Sequence, residues 1–319
     1  MRTSLVPVVG GLARPFSLYL LLSLSRQPLL LPVYHLSSDE PLPHIRHIYP
    51  IRNARLFRED MDFFLRHYEP VDIPRLIAHV SGENPIRKPS FFLSFDDGLR
   101  EIYDVVAPIL REKGIPAAFF INSDFVDNRG LFFRYKASLL ADTVNDPARA
   151  AAFMQVKYDE QHILDEAAQR LEIDFDQFLN TQKPYLSTEQ IRSLIHDGFT
   201  IGAHSADHPE YRFIPLEAQL GQTSKSLACL RESFSLKENI FAFPFTDFGV
   251  GRKFFEEIYS KDNVSLSFGC AGLKTDIFPQ HLQRLPMEGT LLPAQKIVKA
   301  EYLYYLAKMP MGKNRIIRY

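Results

Sequence analysis

Tryptophan is absent from this chain of 319 residues, cysteine occurs twice, and the formal net charge is −1. Each scarcity excludes something. Cys229 and Cys270 cannot staple a disulfide scaffold; they leave room for a single bridge and do not decide the redox compartment. A near-neutral charge gives no electrostatic basis for binding nucleic acid, so no nucleic-acid partner is expected. No internal repeat or low-complexity tract is visible. Long apolar runs are also missing. The longest uncharged stretch of the N-terminus, Pro15 to Ser25, falls well short of the roughly 20 residues needed to span a bilayer.

What is present is ordinary for a globular protein with a sizeable core: 46% hydrophobic and 24% charged residues, in a length that suits one large α/β domain or two smaller ones. With 26 phenylalanines and no tryptophan, any aromatic platform for a ligand has to be Phe or Tyr. Residues 1–30 form an apolar N-terminal segment interrupted by Gly10, Gly11, Arg14, Pro15, Arg26 and Pro28. The following "PLLLPVYH" reads as a strand that the fold has to retain. A structured helix and strand is therefore expected in place of a cleaved signal, with a cytoplasmic location or peripheral membrane contact favoured over secretion.

Beyond it, "NARLFREDMDFFLRHYEPV" spaces Leu56, Phe57, Met61, Phe64 and Leu65 as one face of a helix. "SFFLSF" reads as a buried strand, "LREIYDVVAPILREKG" as a helix ending near Gly114, and "IPAAFFINS" as the next strand. The segment 124–197 breaks the rhythm and reads as an inserted helical lobe. Alternation resumes with strands at "FTIGAHS", "NIFAFPF", "VSLSFGC" and "HLQRLPM", separated by helices. This many β/α units over 31–300 imply a parallel α/β barrel or a large doubly wound sheet. The tail, 301–319, reads as one helix with a basic end, where Lys313, Arg315 and Arg318 form a solvated terminus.

The proposed strands end in residues with chemical potential. "SFFLSFDDG" delivers Asp96 and Asp97, two like charges side by side, and then Gly98. Asp-Gly is common turn punctuation, so the pair alone proves little. "FTIGAHSADH" delivers His204 and, four residues later, His208; if a helical turn begins there, both imidazoles lie on one face. With one carboxylate they make a His2Asp set with an open position, the donor set of a catalytic zinc. A cation would offset the repulsion between the aspartates, and the second carboxylate could take a proton from water acidified by that ion. Active sites of parallel α/β folds assemble at these C-terminal strand ends.

"SFDDG", "HSADH" after a strand and "FAFPF" downstream together resemble the polysaccharide deacetylase family, the NodB-homology or carbohydrate esterase 4 type, over roughly residues 30–290 outside the insertion; "PVYH" at 32–35 is similar to a segment that often precedes the domain. The resemblance implies an irregular (β/α) barrel with one divalent metal ion, usually Zn2+, that removes N-acetyl groups from amino sugars in a carbohydrate substrate. It assigns Asp97, His204 and His208 to the metal and Asp96 to the catalytic base. It gives Phe245 the backbone N–H that helps hold an oxyanion.

The chain departs from that pattern too. Ala242 stands where the family often carries an arginine, the motif containing Asp and Trp is not recognisable, and the late motif supplying the general acid is missing. His281 is a candidate catalytic replacement. Arg284 is a candidate to contact substrate or to orient Asp96, and Asp247 a candidate substrate contact. The insertion between the first two motifs could form a lid or a wall for substrate. Two alternatives follow: a metal- or glycan-binding protein of the same fold without turnover, and a deformylase acting on a lipid-linked amino sugar.

Overall fold

Short apolar runs alternating with amphipathic stretches pair in parallel, as strands joined through crossover helices must. The computed structural model describes residues 16–319; the first half of the N-terminal segment lies outside the described residues. Helix α1 (Leu18–Ser25) leads to β1 (Leu29–Leu30) and β2 (Pro32–Tyr34). Then come α2 (Ala54–His67), β3 (Glu69–Pro70), α3 (Ile73–Val80), β4 (Ser90–Phe91), β5 (Leu93–Phe95), α4 (Ala107–Lys113) and β6 (Ala117–Ile121). Helices α5 (Phe133–Thr143), α6 (Pro147–Gln155), α7 (His162–Arg170), α8 (Phe175–Gln182) and α9 (Thr188–His196) precede β7 (Thr200–Ala203). After it run α10 (Leu216–Phe234), β8 (Ile240–Ala242), α11 (Arg252–Ser260), β9 (Leu266–Gly269) and β10 (Thr275–Asp276). The last elements are β11 (His281–Gln283), β12 (Leu285–Pro286), α12 (Ala294–Lys308) and β13 (Arg315–Ile316).

The main sheet has eight parallel strands in the order β11-β9-β8-β7-β6-β5-β2-β12. Its two outermost strands are neighbours in sequence, with Arg284 alone between them, so the sheet curls into a nearly closed barrel. "HLQRLPM" is therefore two strands, not the single one its apolar pattern suggests, and each half pairs at an opposite edge. "SFFLSF" and "PLLLPVYH" divide likewise. β1 and β4 join β3 in an outer three-stranded sheet, while β2 and β5 enter the barrel.

Strands covered on both faces read as continuous apolar runs, and all five residues of β6 are buried. Inside the barrel, Phe92 and Phe120 pack on Phe268 at ring distances of 5.5 and 5.2 Å. Gly202 on β7 makes room for them: a Cβ there would stand 2.6 Å from the Phe120 ring. A second core layer lies between the strands and the outer helices and includes Phe57, Phe64, Phe119 and Phe254.

Helices α5 to α8 form a lobe with its own core around Phe132, Tyr135 and Leu164, which also takes in Leu36, Ile45 and Leu99. Helix α9 falls inside the span expected for the insertion, yet Ile191 and Leu194 bury it in the main core. The basic tail also differs from expectation. The helix begins at Ala294 and ends at Lys308, β13 pairs with β10, and Arg318 is buried in ion pairs with Asp247 and Asp276. Two buried carboxylates draw in a cation that charge patterning alone assigns to solvent. No helix among the described residues is long and apolar enough to cross a membrane.

Candidate active site

At the end of β5 the chain turns through two consecutive left-handed residues, Asp97 (φ 71°) and Gly98 (φ 66°). Aspartate tolerates that region better than most side chains. A side chain at position 98 would also crowd Ile121, since its Cβ would lie 3.0 Å from Ile121 Cγ2. The two carboxylates consequently take separate partners. Asp96 receives both arms of the Arg284 guanidinium, Nη1 to Oδ1 at 2.7 Å and Nη2 to Oδ2 at 2.8 Å. Arg284 itself is fully buried, donates a further bond to Ser94 Oγ at 3.1 Å, and lies 5.3 Å from the Phe120 ring centre. Burial pushes the Asp96 carboxyl up, but Arg284, joined by His204 and His35, holds the group below its ordinary value.

Asp97 points the other way. Its Oδ2 accepts the Tyr135 hydroxyl at 2.6 Å, which leaves Oδ1 facing His208 Nε2 at 3.1 Å and His204 Nε2 at 3.5 Å. Burial opposes its charge, while His208 and His204 hold it well below the usual carboxylate range. His204 directly follows β7, with Nδ1 2.9 Å from the Ala242 carbonyl, an orientation that directs Nε2 at Asp97.

His208 arrives by a loop, and the expected helical turn is absent. Ser205 (φ 65°) and His208 (φ 67°) are both left-handed, and Ser205 Oγ accepts the His208 N–H at 3.0 Å. The Asn122 amide ties this loop to β6 by donating to the His204 carbonyl and to Ser205 Oγ. The rings of His204 and His208 stand 4.9 Å apart, and burial lowers the His208 pKa, favouring the neutral imidazole a metal ion requires.

One ligand atom from each of Asp97, His204 and His208 lies within 4.8 Å of the others, all three residues are buried, and Asp97 Oδ1 has no hydrogen-bond donor. An orphaned carboxylate oxygen facing two imidazole nitrogens fits a divalent cation such as zinc. Phe245 follows Pro244 beyond β8, with φ 54°, and its half-exposed ring stands 4.7 Å from His208.

A family model described as polysaccharide deacetylase matches residues 83–252, over half of the chain. The chain belongs to the polysaccharide deacetylase family. Solved structures with the same fold include the Streptococcus pyogenes deacetylase PplD in complex with acetate: 13% identity, TM-score 0.58, 86% of this chain and 97% of that one. IcaB from Ammonifex degensii gives 18% identity and a TM-score of 0.57 over 86% of this chain and 96% of its own. A de-N-acetylase from Aggregatibacter actinomycetemcomitans gives 15% identity and a TM-score of 0.51, covering 81% and 92%. At these identities the likeness shows the fold alone. No curated protein matches the sequence.

In this deacetylase-family chain Arg284, a candidate to orient Asp96, is the cation paired with it. His281 stands elsewhere, in contrast to its expected role. Its Nε2 lies 3.1 Å from Asp247 Oδ2, its Nδ1 2.7 Å from Ser267 Oγ, and the rings of Phe243 and Phe255 pack against it. Both ring nitrogens are already engaged. Asp247, expected to contact substrate, is spent in the same buried network, also accepting from Gln283 at 2.9 Å and from Arg318.

Three functional neighbours escaped sequence reasoning. His35 and Glu288 follow β2 and β12, which pair side by side, and Glu288 accepts from the His35 backbone N–H (2.8 Å), the Leu36 N–H (3.2 Å) and His35 Nδ1. Burial alone would lower the His35 pKa, but the carboxylates around it, Glu288 first and then Asp97 and Asp96, together raise it to about 10. "PVYH" at a strand end is the signal that could have found His35; Glu288 has none. Tyr135 comes from the lobe, and nothing in its local sequence ties it to Asp97.

Proposed function

We propose that the protein hydrolyses the N-acetyl group of an amino sugar in a GlcNAc-type polysaccharide, oligosaccharide or glycan precursor, using one divalent ion held by Asp97, His204 and His208. The observation that carries this reading is the buried convergence of those three donors beside Asp96, a carboxylate kept ionised by Arg284. Zinc bound there would supply Lewis acidity, polarising the acyl carbonyl and making water easier to deprotonate.

The chain's own groups divide the remaining work. Asp96 accepts the proton of the attacking water, and the Phe245 backbone N–H donates to the oxygen on which charge builds. Breaking the C–N bond then requires a proton for the departing amine, and His35, kept cationic by Glu288, is the donor. Acetate and a free amino sugar are the products. The test is acetate release from N-acetylglucosamine oligosaccharides by the zinc-supplemented protein. Asp96→Asn should lower the rate about 10²- to 10⁴-fold with metal content retained. Equal rates in the two proteins, or no metal bound by wild type, would refute the reading.

Of the two locations expected, cytoplasmic or peripheral at a membrane, we propose peripheral membrane contact. Its support is α1, which buries Leu18 and Leu21 yet leaves Tyr19, Leu20 and Leu24 exposed. Loss of vesicle binding in a Tyr19→Ser/Leu24→Ser variant is the expected outcome.

A further inference from the structure

Phe245, whose backbone N–H the proposed reaction uses, sits at the centre of a tight turn. The Thr246 N–H donates to the Pro244 carbonyl at 2.6 Å, and Phe245 itself has φ 54°. A three-residue turn with positive φ at its centre is the rare, strained sense of the γ-turn. A bulky residue keeps such a conformation where its surroundings over-determine it. Its half-exposed ring leans on the rings of Phe132, Phe133 and His208, contacts that do not fix the direction of a backbone N–H.

A firmer restraint lies two residues on, at the buried Asp247. Its Oδ1 accepts the Cys270 N–H at 3.3 Å, while Oδ2 is shared by Gln283, His281 and Arg318. Arg318 also grips the backbone of the same loop. Its Nη1 donates to the Asp247 carbonyl at 3.0 Å and to the Val250 carbonyl at 3.3 Å. Its Nε donates to Asp276 Oδ2 at 2.9 Å. Asp276 belongs to β10, which pairs with β13 just before Arg318, so one guanidinium ties the loop after β8 to a strand pair outside the barrel. Beside it, the Tyr319 backbone oxygen accepts the Arg252 N–H at 2.9 Å, where the loop enters α11.

We infer that Arg318 is a positioning residue for the reaction: through Asp247 and Val250 it holds the strained turn that aims the Phe245 N–H at the developing oxyanion. The inference rests on the proposed deacetylation. A donor to an oxyanion works at the position the charged oxygen reaches in the transition state, so a relaxed turn slows turnover and leaves ground-state binding nearly intact. Acceptors on Asp247, Val250 and Asp276 suit the fixed fork of a guanidinium, whereas a single ammonium cannot serve all three.

The experiment uses the full-length zinc-supplemented protein, Arg318→Lys, Arg318→Ala and N-acetylglucosamine oligosaccharides. Arg318→Lys should lower kcat about 10- to 100-fold, with KM and the zinc Kd from chelator competition each within about twofold of wild type. Millimolar guanidinium chloride should restore part of the kcat of Arg318→Ala and leave wild type unchanged, because it refills a vacated cation site; a loosened fold would lose activity instead. Should Arg318→Ala fail to fold, Arg318→Lys decides. A wild-type kcat in Arg318→Lys, or a loss that KM and zinc affinity share in proportion, overturns the inference while leaving deacetylation standing. No acetate release from wild type would refute the proposed function instead, and the turn is then read directly by NMR. In metal-free protein carrying isotope-labelled phenylalanine, the Phe245 amide signal, assigned by its loss in Phe245→Tyr, should shift in Arg318→Lys. An unmoved signal overturns the inference whatever the activity.

Discussion

Arg284 reaches Asp96 with both guanidinium arms from a position 188 residues later in the chain, the single residue between the two edge strands of the barrel. Closing the barrel and fixing the charge of the candidate base are thus one structural event. A lysine cannot reproduce the two parallel bonds.

Removing the guanidinium leaves Asp96 buried and unpaired. Arg284→Ala is expected to destabilise the fold by about 3–5 kcal/mol in a denaturant titration. Arg284→Lys should fold better than Arg284→Ala yet lose most of the hydrolytic rate. Wild-type stability in Arg284→Ala would show that the pair contributes little.

Tyr135 fixes which oxygen of Asp97 is left for the histidines. Outer-shell partners of this kind typically influence metal affinity about 10- to 100-fold, so Tyr135→Phe should weaken zinc binding by that amount in a chelator competition. Tyr185→Phe is the control. Its hydroxyl accepts the Phe132 N–H within the same lobe, and its ring stacks on Tyr135 at 6.1 Å. Equal losses in the two variants would mean general loosening of the lobe.

Burial opposes the charge of His35, but Glu288, with Asp97 and Asp96, raises its pKa to about 10. A raised histidine contributes stability that is complete below its unfolded value near about 6.5 and is lost as pH rises through the folded value. If charged His35 delivers the proton, the alkaline limb of kcat shifts to lower pH in Glu288→Gln, and His35→Gln loses about 10²- to 10⁴-fold. An unmoved limb in Glu288→Gln would remove His35 from this role.

Asp247 behaves in the opposite sense. Burial resists its charge, but bonds and charges from His281, Arg318 and Gln283 hold it far below an ordinary carboxyl. A depressed carboxylate contributes stability above its unfolded value, near about 4, and loses it as pH falls toward the folded value. Stability measured from pH 6 down to pH 2 should fall more steeply in wild type than in Asp247→Asn. Parallel curves would contradict this assignment.

The parts legible in sequence are those encoded locally. β6 announces itself because a strand buried on both faces carries an unbroken apolar run, and Asp96–Asp97 and His204–His208 sit in short segments just beyond strand ends. The split of "HLQRLPM" was not legible, because both halves are apolar and only closure of the barrel sends them to opposite edges. His35 meets Glu288, and Asp97 meets Tyr135, through strand register and through the lobe, neither of which leaves a local pattern. Arg318 was misassigned for a related reason: a terminal charge looks solvated until the buried carboxylates that bind it are known.

Because β12 docks against β2, the ring seam joins residues about 250 positions apart. During synthesis Asp96 leaves the ribosome 188 residues ahead of its counter-ion, Arg284. A partly made chain therefore holds an uncompensated carboxylate and an unpaired strand edge. Such a state is poorly compatible with a stable early intermediate and places the burden of cooperativity on the final residues of the sheet. Premature termination before residue 284 should accordingly yield an aggregating fragment and no smaller enzyme.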